Sequence, residues 1–456
     1  MQLSFFSPDV ARDVRYKVFL GTRLGQFYSS LPLDELVTLL PRPKHHAGAP
    51  GYLTNKGKIA LQFLKCYEGC SDEKLLERLN TNWTLQLFCD LHLPVAKMIR
   101  DKDLIWKTRA WVAKHLDWGA VQAILIKHWK PQMKHLHLGL SDATCYESYI
   151  KYPTDVKLLG DCCEWMQKHI RRLGKVLRAP RQRNSFQEQK DKQLSYSRQR
   201  RKTYKQERRR RRQLLHLAHR QIEQLANLIV LWRRHPLHDP YLLTAEELER
   251  FKIIGQIYKQ QRLHFDDAKA KINNRIVSLY KPYLRPIVRG KENKRVEFGA
   301  KVNTWQVGGL NFIEHLSFDA FHEGNRLKSG IAFHQKHFGK LKQIGADRIY
   351  ATNENRRYCK KLKIQTNFVP KGRTSNDKDL VKQQKQIRRA ISKVRATQLE
   401  GSYGNDKNHY GLRKVKARNE STEVAWIFFA MMSANAVKIS RYKQLDRKIA
   451  PRARAA

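Results

Sequence analysis

Two hydrophobic periods alternate along the chain, one typical of helices and one typical of strands. Apolar residues recur every three or four positions in 59–64 and in 75–79, which predicts two amphipathic helices on either side of a turn at 68–71. Thr54 and Ser71 stand where side-chain caps are expected at the starts of these helices. The N-terminal region is therefore expected to be helical.

Alternation with a period of two, typical of strands, begins further along the chain. Leucines alternate with polar residues over 136–140, and Asp142 follows close to the expected C-terminal end of that strand. Residues 296–302 and 305–312 also alternate, with two glycines interrupting the second segment. These two segments are expected to form an antiparallel pair.

The C-terminal part of the chain mixes both periods. One short strand is expected to end in Asp347, and another is expected over 364–369. The segment 381–416, which carries Glu400, is expected to be largely helical. The apolar run 424–437 is shorter than the roughly 20 residues that a transmembrane helix needs, so it is interpreted as a buried core helix.

A long basic region separates the first predicted strand from the others. Residues 171–212 contain 18 Lys and Arg against three acids, and helical spacing continues over 214–232. Thr244 and Glu247 form the capping box of a further helix. We therefore expect a helical insertion at about 160–285 with a basic arm that grips phosphates. The arm residues expected to bind DNA are Arg198, Arg200, Arg201, Lys202, Lys205, Arg208, Arg209, Arg210, Arg211 and Arg212.

The overall charge indicates the kind of partner. The 456 residues include 90 Lys and Arg against 41 Asp and Glu, a formal net charge of +49, while 41% of residues are hydrophobic. A chain this apolar folds, and one this basic is expected to bind a polyanion, because neutralised phosphates release condensed counterions. No signal peptide is recognisable at the start, and the seven cysteines show no disulfide or zinc pattern. The expected location is the cytoplasm.

Three acids stand at the ends or flanks of apolar segments, and they are the candidate catalytic residues. Asp142, Asp347 and Glu400 would supply hard, charged oxygen ligands to two divalent cations about 3.5–4 Å apart, which clamp the attacking and leaving oxygens of a phosphodiester. Among rival acids, Asp155 is interpreted as a helix cap, whereas Asp319 and Glu323 are interpreted as surface residues.

Several short motifs give this chain a resemblance to a family. Asp142-Ala-Thr144, Asp347-Arg-Ile-Tyr350, and Glu400 with Lys407 seven residues later occur in the order that resembles bacterial insertion-sequence transposases of the Asp-Asp-Glu (DDE) type, in the insertion-sequence four/five branch. The resemblance covers nearly the whole chain. It implies an α/β ribonuclease-H-like catalytic core with a helical N-terminal domain and a large basic helical insertion.

The resemblance also implies a reaction. Two Mg²⁺ ions, with Mn²⁺ as a substitute, would be held by Asp142, Asp347 and Glu400, and Lys407 would contact the phosphate beside the cleavage point. The enzyme would nick double-stranded DNA at transposon ends and join the freed 3′ hydroxyl to target DNA by in-line transesterification. A homodimer is expected to hold paired ends in a synaptic complex on the bacterial nucleoid, with no membrane involved.

This chain departs from the family pattern at two positions. Ile349 stands where the family usually has Gly, and Arg395 lies one residue further from Glu400 than the family spacing. Two other classes of function remain open. A catalytically inactive, transposase-derived DNA-binding protein or repressor would keep the charge without needing the acids, and an RNA-binding protein would leave their order unexplained.

The predicted organisation has four parts. They are a helical N-terminal DNA-binding domain, a linker helix, a catalytic domain interrupted by the insertion, and a basic tail, with bounds of 1–95, 96–130, 131–440 and 441–456.

Overall fold

A computed structural model describes residues 8–41, 51–91, 93, 97–234, 242–288, 296–372 and 376–453. The chain divides into two compact units, Met1–Tyr149 with Gly299–Ala456, and Ile150–Phe298. The second unit is an insertion in the first. Glu147 pairs with Gly299 in the first unit, so the chain leaves and re-enters that unit at neighbouring positions of one sheet.

Helices make up the N-terminal part of the first unit. They are α1 (Pro8–Gly21), α2 (Arg23–Tyr28), α3 (Leu33–Val37), α4 (Asn55–Glu68), α5 (Asp72–Thr81), α6 (Trp83–Phe88), α7 (Leu104–His115) and α8 (Trp118–Trp129). The predicted caps are confirmed, since Thr54 accepts a hydrogen bond from the Gly57 N–H and Ser71 accepts one from the Lys74 N–H. The linker helix predicted at 96–130 corresponds to two helices, α7 and α8, because Asp117 caps a new one.

A mixed sheet follows, with strands β1 (Leu138–Glu147), β2 (Pro286–Val288), β3 (Val296–Val307), β4 (Leu310–Ser317), β5 (Gln343–Ala346) and β6 (Gln365–Thr366). In the first unit the order is β4-β3-β1-β5-β6; β3 is antiparallel to both β4 and β1, whereas β1, β5 and β6 are parallel. Gly308 and Gly309, with φ of 55° and 77°, turn β3 into β4. The predicted antiparallel pair is confirmed, but its break lies at these glycines, after 305–307 rather than before them.

The remaining helices of the first unit are α13 (Leu327–Phe338), α14 (Asn353–Lys361), α15 (Lys378–Val394), α16 (Gly401–His409) and α17 (Glu420–Ala453). The apolar run 424–437 is part of α17 and is buried as predicted. The Phe429 ring lies 4.9 Å from the Phe63 ring, and Asn435 exchanges two hydrogen bonds with the backbone of Asn311. The predicted tail from residue 441 continues this helix to Ala453, and 454–456 lie outside the described residues.

The inserted unit is built on α9 (Asp155–Val176), α10 (Phe186–Arg198), α11 (Tyr204–Arg234) and α12 (Ala245–Asp266). Their apolar faces form one core that includes Met166, Leu225 and Ile254. The capping box of Thr244 and Glu247 is confirmed at the start of α12. Within the described ranges of the whole chain, no helix has the length and apolar character that a bilayer crossing requires.

Candidate active site

The parallel pairing of β1 with β5 brings two of the predicted acids together. The last pair of this ladder joins Ser141 to Ala346, so Asp142 and Asp347 are the next residues on adjacent parallel strands. Asp347 follows the end of β5, as predicted. Asp142 lies in the middle of β1 rather than close to its C-terminal end, because β1 continues to Glu147 along β3.

Glu400 reaches the same edge from the helical side. It ends a π-helical turn, Arg395–Glu400, between α15 and α16. Leu399 in this turn is fully buried and packs with Leu140 of β1 and with Tyr403. The Tyr403 hydroxyl donates a hydrogen bond of 3.0 Å to the backbone carbonyl of Asp142, so the first turn of α16, directly after Glu400, is held to the strand that carries the first acid.

A single guanidinium group lies among all three carboxylates. Arg395 Nη1 is 3.3 Å from Asp142 Oδ2, and Arg395 Nη2 is 3.8 Å from Asp347 Oδ1 and 3.2 Å from Glu400 Oε1. Since one side chain contacts all three acids, groups that are far apart in the sequence converge on one small volume. The Arg395 side chain is only 17% exposed there.

The π-helical turn explains how Arg395 reaches this position despite its spacing. In an α-helix, residues five apart point in directions that differ by about 140°. A turn closed by i→i+5 hydrogen bonds holds more residues, so Arg395 and Glu400 return to nearly the same side. The turn therefore brings Arg395 beside Glu400 although the two residues are five positions apart.

The environments of the three acids differ. The Asp142 side chain is 18% exposed, and burial raises its pKa to about 6, helped by the negative charges of Glu323 and Asp347 and opposed by Arg395 and the Ala143 N–H. Asp347 and Glu400 are 51% and 55% exposed. Asp142 therefore forms the buried floor of the site, with the other two acids at its mouth.

Lys407, the fourth predicted site residue, is on α16 and contacts β1, the strand that carries Asp142. Its ammonium donates a hydrogen bond of 3.2 Å to the Thr144 hydroxyl. Thr144 is two residues beyond Asp142, so both side chains project from the same face of β1. The ammonium is also 5.9 Å from the centre of the Tyr146 ring.

Glu323 was interpreted as a surface residue, and this interpretation is wrong. Its side chain is 14% exposed and pairs with Lys301 at 2.9 Å, and its charge acts on Asp142. The adjacent Gly324 packs so closely on the loop after Asp347 that an added Cβ would lie 2.8 Å from the Ile349 carbonyl. Nothing in the local sequence signals this proximity except the glycine, which a close approach requires.

A second buried carboxyl lies behind Lys407. Asp406 is 1% exposed and accepts hydrogen bonds from the Tyr146 hydroxyl at 3.0 Å and from the Asn311 amide at 3.4 Å. Burial raises its pKa to about 7. It did not stand out in the sequence, because an Asp inside a polar helical segment resembles any solvated acid.

The predicted basic arm is only partly available to a ligand. Eight of its ten residues are exposed, whereas Arg210 is 4% and Arg211 is 8% exposed. Arg210 donates to glutamine side chains, including that of Gln189, and Arg211 lies 3.4 Å from Asp155. Arg210 and Arg211 therefore stabilise the inserted unit, and their contact with DNA stays a prediction that their burial does not favour.

Asp155 is likewise not the predicted cap. Thr154 caps α9 by accepting a hydrogen bond from the Lys157 N–H, and Asp155 is the first residue of the helix. Its carboxylate accepts a hydrogen bond of 2.7 Å from Arg275 inside the inserted unit.

Carboxylate oxygens are good ligands for a divalent cation, but in this structure the three carboxylates contact the guanidinium of Arg395 instead. Within the described residues, no group of three or more His, Cys, Asp or Glu side chains is placed so that it could hold a metal ion directly. Asp142, Asp347 and Glu400 nevertheless direct hard oxygens at one positive centre, the kind of ligand that Mg²⁺ prefers. Metal binding at this place would require Arg395 to move.

Comparison with protein-family models links part of the chain to a described family. A family model described as a transposase DDE domain matches residues 344–435, a segment that contains Asp347, Glu400 and Lys407 but not Asp142. Searches among curated proteins and among solved structures found no significant match. The family match supports a transposase function of the DDE type and implies a ribonuclease-H-like core, and the mixed sheet of the first unit is consistent with that core.

Proposed function

We propose that this chain is a transposase of the insertion-sequence four/five type, which nicks transposon ends and transfers the freed strand into target DNA. The convergence of Asp142, Asp347 and Glu400 on Arg395 is the observation that carries the proposal. Such a site needs three ionisable oxygen donors at one point, and a carboxyl whose pKa is shifted by burial beside charged neighbours is a candidate for a functional site. The family match over 344–435 supports the same interpretation.

Each residue of the site has a defined role in this proposal. Asp142, Asp347 and Glu400 would hold two Mg²⁺ ions, or Mn²⁺ in their place, and the metal supplies charge stabilisation of the attacking and leaving oxygens. Tyr403 fixes the backbone of Asp142, and burial of Asp142 limits access of bulk water to the floor of the site. Lys407 projects from α16 toward the same face of β1, and we assign it the role of holding a DNA phosphate.

The partners follow from charge. Double-stranded DNA is the proposed ligand, both as transposon end and as target, and the eight exposed arm residues of the inserted unit are proposed to contact its phosphates. A homodimer in a synaptic complex would bring two ends together. We also propose that the protein is located on the bacterial nucleoid, because its proposed ligand is DNA.

Nicking of a supercoiled plasmid that carries the DNA flanking the coding region tests the proposal. The wild-type chain should convert the plasmid to the open-circular form in Mg²⁺, and Asp347→Asn should abolish conversion while DNA binding persists. Glu354→Gln, which removes an exposed acid 74% accessible to solvent, is the matched control and should nick normally.

The alternative, an inactive transposase-derived DNA-binding protein or repressor, predicts a different outcome. In that case the wild-type chain binds the flanking DNA in Mg²⁺ or Mn²⁺ without nicking it, and Asp347→Asn behaves like the wild type. Inverted repeats on both sides of the coding region would favour the transposase.

A further inference from the structure

The helix that leads into the active site carries a continuous basic face. Five of the six positive side chains of α15 recur at intervals of three or four residues, so these five project from one side of the helix. All of them are exposed. They are Lys378, Lys382, Lys385, Arg389 and Lys393, and they are referred to below as the α15 basic face.

The opposite side of α15 fixes its direction. Ile391 is 3% exposed and packs against β5, where a Cβ added to Gly345 would lie 2.8 Å from the Ile391 Cγ2 atom. Gly345 is two residues before Asp347. Because α15 packs on the strand that leads directly to Asp347, the α15 basic face has a fixed orientation relative to that acid.

The charge pattern of α15 differs from that of a merely solvated helix. Acidic residues on the helix are confined to Asp379 in the first turn. Like charges at i and i+4 repel one another and destabilise a helix. The surface of α12 shows the usual solution, because Glu246 pairs with Arg250 and Arg262 pairs with Asp266 at that spacing. The row of like charges on α15 beyond its first turn is therefore better explained by binding of an external anion than by pairing within the helix.

The dimensions suit duplex DNA. Lys378 and Lys393 are separated by about 22 Å along the helix axis, at 1.5 Å per residue. That length corresponds to about six to seven base pairs of duplex, at 3.4 Å per base pair along each strand. Lys393 lies two residues before Arg395, so the row of charges ends at the three carboxylates.

We propose that the α15 basic face binds the phosphate backbone of duplex DNA next to the scissile phosphate and directs the strand to Asp142, Asp347 and Glu400. This inference rests on the proposed function and adds a surface to it, separate from the basic arm of the inserted unit. Its five cations position the duplex and take no part in the chemical step.

Binding measured without metal tests the inference. The triple variant Lys382→Gln, Lys385→Gln and Arg389→Gln removes the centre of the α15 basic face. The matched control, Lys336→Gln with Lys340→Gln and Lys342→Gln, removes three exposed cations before the start of β5, the end opposite Asp347. Affinity for a labelled duplex that carries the flanking DNA would be titrated against salt in EDTA, with thermal melting to verify folding.

The plot of log K against log salt has a negative slope, and the α15 variant should reduce its magnitude by about 2 to 3, since each phosphate contact contributes about 0.9. Its affinity should fall at least about tenfold at moderate salt, while the control stays close to the wild type. Hydroxyl-radical footprints should lose protection over about six to seven base pairs beside the nick position in the α15 variant alone.

Two results would overturn the inference: an unchanged slope and footprint in a folded α15 variant, or an equal loss in the control. Failure of the proposed function is a separate outcome. A wild-type chain that never nicks its flanking DNA contradicts the transposase and leaves the binding result intact. A wild-type chain that nicks, together with an α15 variant that binds and protects DNA normally, contradicts only the role of the α15 basic face.

Discussion

Replacing Asp142 with asparagine should stabilise the metal-free protein at neutral pH. Burial, together with Glu323 and Asp347, raises the pKa of Asp142 from the ordinary 3.8 to about 6. A raised pKa means that the folded protein holds this proton more tightly than the unfolded chain does, so stability falls as pH rises between these two values. At 1.36 kcal/mol per unit, the ionised Asp142 costs about 3 kcal/mol above pH 6.

The amide introduced by Asp142→Asn would remain neutral at every pH and would avoid this cost, although the variant would also lose the charged contact with Arg395. That contact already lowers the pKa of Asp142, so the pKa of about 6 includes its benefit. The expected gain for Asp142→Asn is therefore up to about 3 kcal/mol at pH 7 to 8, shrinking to nothing near pH 4.

Urea unfolding in EDTA at a series of pH values measures this difference. Glu354→Gln serves as the control, since an exposed substitution should stay within about 0.5 kcal/mol of the wild type at each pH. A variant that is less stable than the wild type at pH 7 to 8, or a gain that does not change with pH, would refute the view that the ionised form of the buried Asp142 destabilises the metal-free protein. Adding Mn²⁺ should stabilise the wild type more than the variant.

Three further predictions follow from neighbouring features. Asp406→Asn should raise the free energy of unfolding in urea above pH 7 by roughly 3 kcal/mol or more and leave it unchanged near pH 4, because burial raises the pKa of Asp406 to about 7. Deleting Ala396 should convert the π-helical turn to a regular helix and retain nicking. Deleting Gln386 inside α15 should abolish nicking, because the basic residues before the deletion would rotate relative to those after it. Gly345→Ala should cost about 1–3 kcal/mol in urea unfolding and reduce nicking more than DNA binding, because the new Cβ would collide with Ile391 and displace the end of β5.

Local signals in the sequence were sufficient for much of the fold. The helices α4 and α5, the turn at Gly69 and the capping box at Thr244 depend on residues within a few positions of one another. The β3-β4 hairpin likewise follows from alternation and two glycines. These features form wherever their local residues allow, so their positions could be predicted without knowledge of the rest of the chain.

Features that depend on distant contacts could not be placed this way. The sequence shows Asp142 after a run of leucines, but only the pairing of β1 with β3 reveals that the strand continues past it. Arg210 and Arg211 belong to a basic run, and their burial depends on partners such as Gln189 and Asp155 in other helices. Charge runs are interpreted as exposed because the acceptors that neutralise them are remote in the sequence.

Arg395 unites the geometry of the site with its proposed chemistry. Three carboxylates at one point repel one another, and a guanidinium among them lets the fold bring them together without metal. Two dications would overcompensate the same three charges, so we expect Arg395 to leave the acids when metal binds. A displaced guanidinium is suited to bind a DNA phosphate in bidentate fashion. Metal and DNA should therefore favour each other's binding, and Arg395→Gln should weaken that coupling.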